Sequence, residues 1–175
     1  DTPLLQPETV TSLISLRAES NAAIVVLSTE VENPNGYGRI IRDESSGQVR
    51  AIVESHIASE EERQICEINT GIMVFESDWL RHNIAKIRPD PQKGELLLTD
   101  TVKVALAQGK DVECLQLDTS SEGIGCDSQQ DLEKAEQLLR KTKLDELMTN
   151  GVSIEDPKRT YIDLGVTIGS DTRIL

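Results

Sequence analysis

The chain has 175 residues, room for one domain with an appended element, and a formal net charge of −13. That acidity argues against nucleic acid, whose phosphates would be repelled. One Trp, one Phe and two Tyr leave no stacking platform for single strands, so the core must be aliphatic. Cys66, Cys114 and Cys126 show no C-x-x-C spacing, which fits a reducing compartment better than a disulfide or zinc framework. No apolar run reaches the length of a membrane span, and no signal peptide opens the chain, so a cytoplasmic location is expected. Asp1 is not an initiator Met, and Leu175 falls within an apolar alternation. Both ends therefore read as those of an internal fragment.

In chain order, Pro7 opens a helical pattern with Val10, Leu13 and Ile14 on one face. The run from Ala22 to Leu27 reads as a buried strand. Tyr37 to Arg42 and Val49 to Val53 read as strands joined by a turn over residues 44–47. Ser59 is spaced to cap a short charged helix, with Glu62 three residues on. Thr70 to Phe75 predicts a strand, and Asp78 to Ile87 a helix with Leu80, Ile84 and Ile87 inward. Two prolines keep residues 88–94 irregular. Leu98 to Ala107 predicts a helix, and Val112 to Leu117 a strand. A long helix then starts at Asp127 or Ser128, carries Leu132, Ala135, Leu138 and Leu139 on one face, and closes at Gly151. Alternating strands and helices predict an α/β fold. From Tyr161, Ile162, Val166 or Ile168, and Ile174 recur at short intervals between glycines, suiting one coil of a hexapeptide-repeat β-helix.

Polar residues punctuate the stretch from Asn33 to Gly71. Gly36 and Gly38 flank Tyr37, Glu54 closes an apolar run, and Asn69 precedes Thr70 and Gly71. Polar groups at strand ends are where an open α/β sheet holds a small polar ligand. Gly and Asn there are more often simple turn formers, and pattern alone favours that reading. Asp1 and Asp127, each before a helix, could together hold Mg²⁺, which needs few protein oxygens when phosphate completes its shell. Asp before a helix is more commonly an N-cap. His56 and His82 lack Cys or Asp partners at ligand spacing. Arg39 and Arg42 alternate on a strand and read as solvated.

The motifs DTPLL, NPNGYGRIIRD, AIVES, EINTGI, GELLLTD and LMTNGVSIEDP occur in that order. Together they resemble one family, the bifunctional N-acetylglucosamine-1-phosphate uridylyltransferases and glucosamine-1-phosphate acetyltransferases. The resemblance implies residues 1–150 as the later part of a Rossmann-like nucleotidyltransferase domain with its linker helix. Residues 151–175 would open a left-handed parallel β-helix, which makes the full-length family protein a homotrimer. It implies uridylyl transfer from UTP to N-acetylglucosamine 1-phosphate, for peptidoglycan and lipopolysaccharide precursors, with acetyl transfer lying outside this stretch. The family's Gly-rich UTP-gripping loop is absent here, so the isolated chain is expected to be inactive.

Carried over by position, the resemblance makes Gly38, Glu54, Asn69, Glu95 and Thr99 sugar-phosphate-binding, and Asp1 and Asp127 ligands of Mg²⁺. No protein residue is implied as a nucleophile. Three positions depart from the family. Asp127 stands for an Asn, His56 for a Lys, and Leu97 for a Tyr of the sugar pocket. The last two leave open another sugar 1-phosphate as acceptor; a degenerate scaffold domain is the non-enzymatic alternative.

Overall fold

The computed structural model describes residues 2–175, so Asp1, an expected metal ligand, lies outside the described residues. The chain forms two compact units. One runs from Leu5 to Ile124; the other comprises residues 125–175 with residues 2–4.

The first unit opens with helix α1 (Pro7–Ser20), whose proline stands in the first turn, where its missing N–H costs nothing. Its start is capped from a distance: Glu122 Oε2 accepts from Gln6 N at 3.2 Å and from Thr9 Oγ1 at 2.5 Å. Strand β1 (Ile24–Glu30) follows, then β2 (Arg39–Arg42), β3 (Val49–Val53), the short helix α2 (Glu60–Arg63) and β4 (Glu67–Phe75). Helix α3 (Ser77–Asn83) passes into a tight 3₁₀ turn, and α4 (Asp100–Ala107), β5 (Val112–Leu117) and a 3₁₀ turn over Ser120–Gly123 complete the unit. Ser59 and Glu62 form the expected capping box on α2.

The five strands make one sheet in the order β3-β2-β4-β1-β5. β1 and β5 run parallel, and the other neighbours are antiparallel. β1 lies inside the sheet between β4 and β5 and is covered on both faces, which is why it reads as an unbroken apolar run. Ile24 and Val26 pack with Ile40, Ile52, Trp79, Val102 and Ala105 on one face. Val25 and Leu27 pack with Leu13 and Ala22 on the other.

Several expected inward residues point elsewhere. Leu13 is fully buried but Ile14 is 55% exposed, because neighbouring helical positions differ by about 100° of rotation. Trp79 and Asn83 are the buried residues of α3; Ile84 lies in the tighter turn that follows and faces outward. Arg39 is wholly buried, not solvated, and donates from Nη1 to the Tyr37 carbonyl.

In the second unit, helix α5 (Gln129–Thr149) starts at a capping box in which Ser128 Oγ accepts from Asp131 N. Its buried residues are Ala135, Lys143, Leu144 and Leu147, whereas Leu132 and Leu138 are exposed. A 3.6-residue period admits more than one apolar stripe on so long a helix, and tertiary packing selects among them. α5 ends in a Schellman arrangement about Gly151 (φ +93°), with Val152 N donating to Leu147 O and Gly151 N to Met148 O. The chain then forms β6 (Ser153–Ile154) and returns to lay β7 (Arg173–Ile174) parallel beside it. On that excursion the Tyr161 ring stacks under the Arg140 guanidinium, 4.4 Å from its carbon to the ring centroid.

Candidate functional site

Four of the expected sugar-binding residues meet at one corner of the sheet. Gly38 leads into β2, Glu54 follows β3, Asn69 lies in β4, and Thr99 precedes α4. Thr99 Oγ1 donates to Glu54 Oε1 at 2.7 Å. Asn69 N donates to the Gly38 carbonyl at 2.8 Å. A methyl group on Gly38 would stand 3.3 Å from Ile52 Cγ2, 3.4 Å from Glu54 Oε2 and 3.7 Å from Asn69 Cβ. The corner therefore combines a bare backbone, a carboxylate with one oxygen held by Thr99, and a nearly buried side-chain amide.

Asn69 stands within a strand, not at its end. The β1–β4 register pairs Val26 with Met73 but Ser28 with Asn69, so β4 carries extra residues opposite Leu27. Gly71 takes φ +84° in this bulge, a conformation that costs any other residue strain. Thr70 Oγ1 staples the bulge by donating to the Leu27 carbonyl at 2.9 Å. Asn69 Oδ1 accepts from Gly71 N at 3.2 Å, which orients the side chain so that its NH₂ is its outward group. Asn69, Thr70 and Gly71 here build the bulge that holds the Asn69 side chain in place.

The 88–96 loop is ordered around Asp90, which sequence reasoning missed. Its Oδ1 accepts from Gln92 N and Lys93 N at 2.9 and 2.8 Å, and its own N–H donates to the Glu95 carbonyl at 2.8 Å. Those backbone donors, Lys93 foremost, hold the Asp90 carboxyl below its usual range. His56 Nε2 lies 3.3 Å from Asp90 Oδ2. The only signal available was turn chemistry, an Asp between two prolines, because the partner is 34 residues away. Glu95 is held in place through its carbonyl, and its side chain is exposed.

Beside the corner, Arg42 is bidentate on Glu67, with Nε to Oε2 at 2.7 Å and Nη2 to Oε1 at 2.6 Å. Ser28 Oγ donates to Glu67 Oε1 at 2.6 Å, and Cys114 Sγ lies 3.1 Å from that hydroxyl. Burial pushes Glu67 up, and the Arg42 and Ser28 hydrogen bonds outweigh it, leaving its carboxyl below the usual range. Burial pushes the Cys114 thiol up, which disfavours a reactive thiolate. Arg42 is thus an internal ion-pair partner, contrary to its solvated reading.

Residues 5–154 match the family model described as nucleotidyl transferase. The chain belongs to that family.

Over 174 residues it is 41% identical to proteins named bifunctional protein GlmU from Pelobacter propionicus and Enterococcus faecalis, covering 99% of this chain. It spans 38% of the length of those relatives. Among solved structures it resembles a Bacillus anthracis protein titled as a glucose-1-phosphate thymidylyltransferase, at TM-score 0.54 and 18% identity over 74% of this chain and 48% of that one. A CMP:2-keto-3-deoxy-manno-octonic acid synthetase matches at TM-score 0.54 and 16% identity over 81% of this chain and 59% of that one. At such identities the two structures share the fold: a Rossmann-like α/β nucleotidyltransferase sheet.

Of the two expected metal ligands of this nucleotidyl transferase chain, only Asp127 lies among the described residues. Asp127 belongs to the second unit and immediately precedes the helix cap. Because Ser128 performs the capping, the exposed Asp127 carboxylate is not spent on it, contrary to the cap reading. Leu97 is half-buried, and Leu96 and Leu98 are exposed. No helix of the described residues is long and apolar enough to cross a membrane.

Proposed function

We propose that this chain carries the acceptor half of a uridylyltransferase site, at which UTP and N-acetylglucosamine 1-phosphate give UDP-N-acetylglucosamine and pyrophosphate. The observation that carries the reading is the convergence of Gly38, Glu54, Asn69 and Thr99. Glu54 Oε2 is an acceptor for a sugar hydroxyl, and the Asn69 NH₂ is a donor for an acetamido carbonyl. The bare Gly38 backbone lets the ring approach closely. Glu95 belongs to the loop that would wall the same pocket. The 41% identity to GlmU proteins supports the choice of substrates.

The reaction needs no protein nucleophile. A phosphate oxygen of the sugar phosphate forms a bond to the α-phosphorus of UTP as the bond to the pyrophosphate oxygen breaks. The part of these residues is to hold the acceptor in line. Asp127, an exposed hard oxygen donor free of capping duty, fits Mg²⁺ by donor chemistry, and Asp1 would be its companion. Bound Mg²⁺ supplies charge neutralisation at the phosphates. Residues 1–150 serve as nucleotidyltransferase domain and linker helix. The parallel return of β7 onto β6 supports residues 151–175 as the start of a left-handed β-helix through which the full-length protein forms a homotrimer, in the cytoplasm.

The test is a titration of the purified chain with N-acetylglucosamine 1-phosphate and glucose 1-phosphate, followed by backbone amide NMR. Shifts at Gly38, Asn69 and Thr99 are expected, with preference for the acetamido sugar. With UTP and Mg²⁺ added, no pyrophosphate above a blank is expected. Shifts confined to other regions, or equal response to both sugars, would overturn the assignment.

A further inference from the structure

The turn after β3 touches the 88–99 segment at two points. One is the Glu54–Thr99 hydrogen bond of the sugar corner, at 2.7 Å. The other is His56 Nε2 to Asp90 Oδ2, at 3.3 Å. Between them the turn is closed on itself, since the Glu54 carbonyl accepts from both Ile57 N and Ala58 N at 3.1 Å.

Asp90 is not a casual partner. Its side chain is 3% exposed, against 21% for His56. It organises the loop on every side: Gln92 and Lys93 donate to its carboxylate, Gly94 N to its carbonyl at 2.8 Å, and its own N–H to Glu95 O. An isolated bridge joins Pro89 and Leu96 across the loop base. Oδ1 is taken up within the loop by Gln92 and Lys93, so Oδ2 is the carboxylate oxygen that faces outside it, and His56 meets it. The loop is a preassembled unit with one external handle.

We propose that His56 is a positioning residue of the sugar-phosphate pocket: through Asp90 it fastens the 88–96 loop to the β3 turn and so sets Thr99 on Glu54. The proposal rests on the sugar-pocket reading above and adds to it a residue that does not itself touch the ligand. It also explains the departure at this position. The ring nitrogen of the His that stands here is engaged with a buried carboxylate. Locking the supporting contacts of a binding carboxylate raises affinity by removing the cost of ordering the loop on binding.

The test compares the parent chain with His56→Ala, His56→Leu and His56→Lys. Amide hydrogen exchange at Gln92 and Lys93 reads the loop, and N-acetylglucosamine 1-phosphate titration reads the pocket. Losing one hydrogen bond of ordinary net strength should speed exchange at those two amides about fivefold. β1 amides should keep their protection, which separates a released loop from general unfolding. Affinity should fall by a similar factor in the Ala and Leu variants. Lys, whose ammonium can reach Asp90, should restore both readouts. Unchanged exchange at Gln92 and Lys93 would overturn the proposal, as would faster exchange with unaltered affinity. If the parent itself fails to bind the sugar phosphate, the sugar-pocket reading falls with the pocket role of His56, and exchange alone then decides whether His56 holds the loop.

Discussion

Two glycines separate site chemistry from packing at the scale of single residues. Gly38 has ordinary backbone angles, and a methyl group there meets Ile52 Cγ2 at 3.3 Å, tight but tolerable. Gly38→Ala should cost about 1 kcal/mol of stability, the low end for adding a methyl to a packed site. It should weaken sugar-phosphate binding tenfold or more, because the methyl fills the close approach. At Gly123 the same methyl would stand 2.6 Å from Thr70 Cγ2 and 3.0 Å from Thr29 Cγ2. Gly123→Ala should therefore cost more, about 3 kcal/mol. Thermal denaturation beside ligand titration measures both, and equal stability losses would refute the contrast. Asn69 is intermediate in character. Its side chain serves the bulge through Gly71 N, so the residue proposed for the acetamido group also holds the fold.

Among the elements, termini were more legible than faces. Ser59 with Glu62 and the stop at Gly151 are local chemistry, and both appear as expected. Ser128, one of two expected starting points of α5, proves to be its cap. Ser128→Ala should lower stability by about 1 kcal/mol, a typical value for a lost cap. Asp127→Ala should cost little by comparison, since that carboxylate caps nothing. Chemical denaturation of the two variants distinguishes them, and a larger loss at Asp127 would restore it as the cap. Buried faces were less legible. Neighbouring apolar positions on α1 and α5 compete for the inward stripe, and the neighbours that decide are distant in sequence. β4 was longer than its apolar run because Glu67 and Asn69, polar in composition, are strand residues tied to β1 and β2.

The network of Arg42, Glu67, Ser28 and Cys114 joins β2, β4, β1 and β5 and so acts at the scale of the whole sheet. The Glu67 carboxyl is held below its ordinary value of 4.5. A depressed folded-state value means stabilisation that is complete above the unfolded value and lost as pH falls through the folded one. Glu67→Gln should therefore lower Tm at neutral pH by an amount that shrinks steadily below pH 4.5. The gap between the two Tm curves from pH 7 to 2 checks this, and a constant gap would show that ionisation of Glu67 contributes nothing. At neutral pH the loss should be about 1.5–3 kcal/mol, as for hydrogen bonds to charged groups.

The sequence by itself determined what depends on near neighbours: strand and helix order, caps, turns, the acidic surface, and the resemblance carried by Gly38, Glu54, Asn69 and Thr99. Tertiary structure decided what depends on distant ones. It set the strand order β3-β2-β4-β1-β5, the bulge that aims Asn69, the burial of Arg39 and the pairing of Arg42 with Glu67. It also brought His56 to Asp90. The physical reason is that local hydrogen bonding and periodicity act over about one helical turn or one hairpin. The contacts of His56 with Asp90 and of Arg42 with Glu67 join residues 34 and 25 positions apart, beyond any such local window.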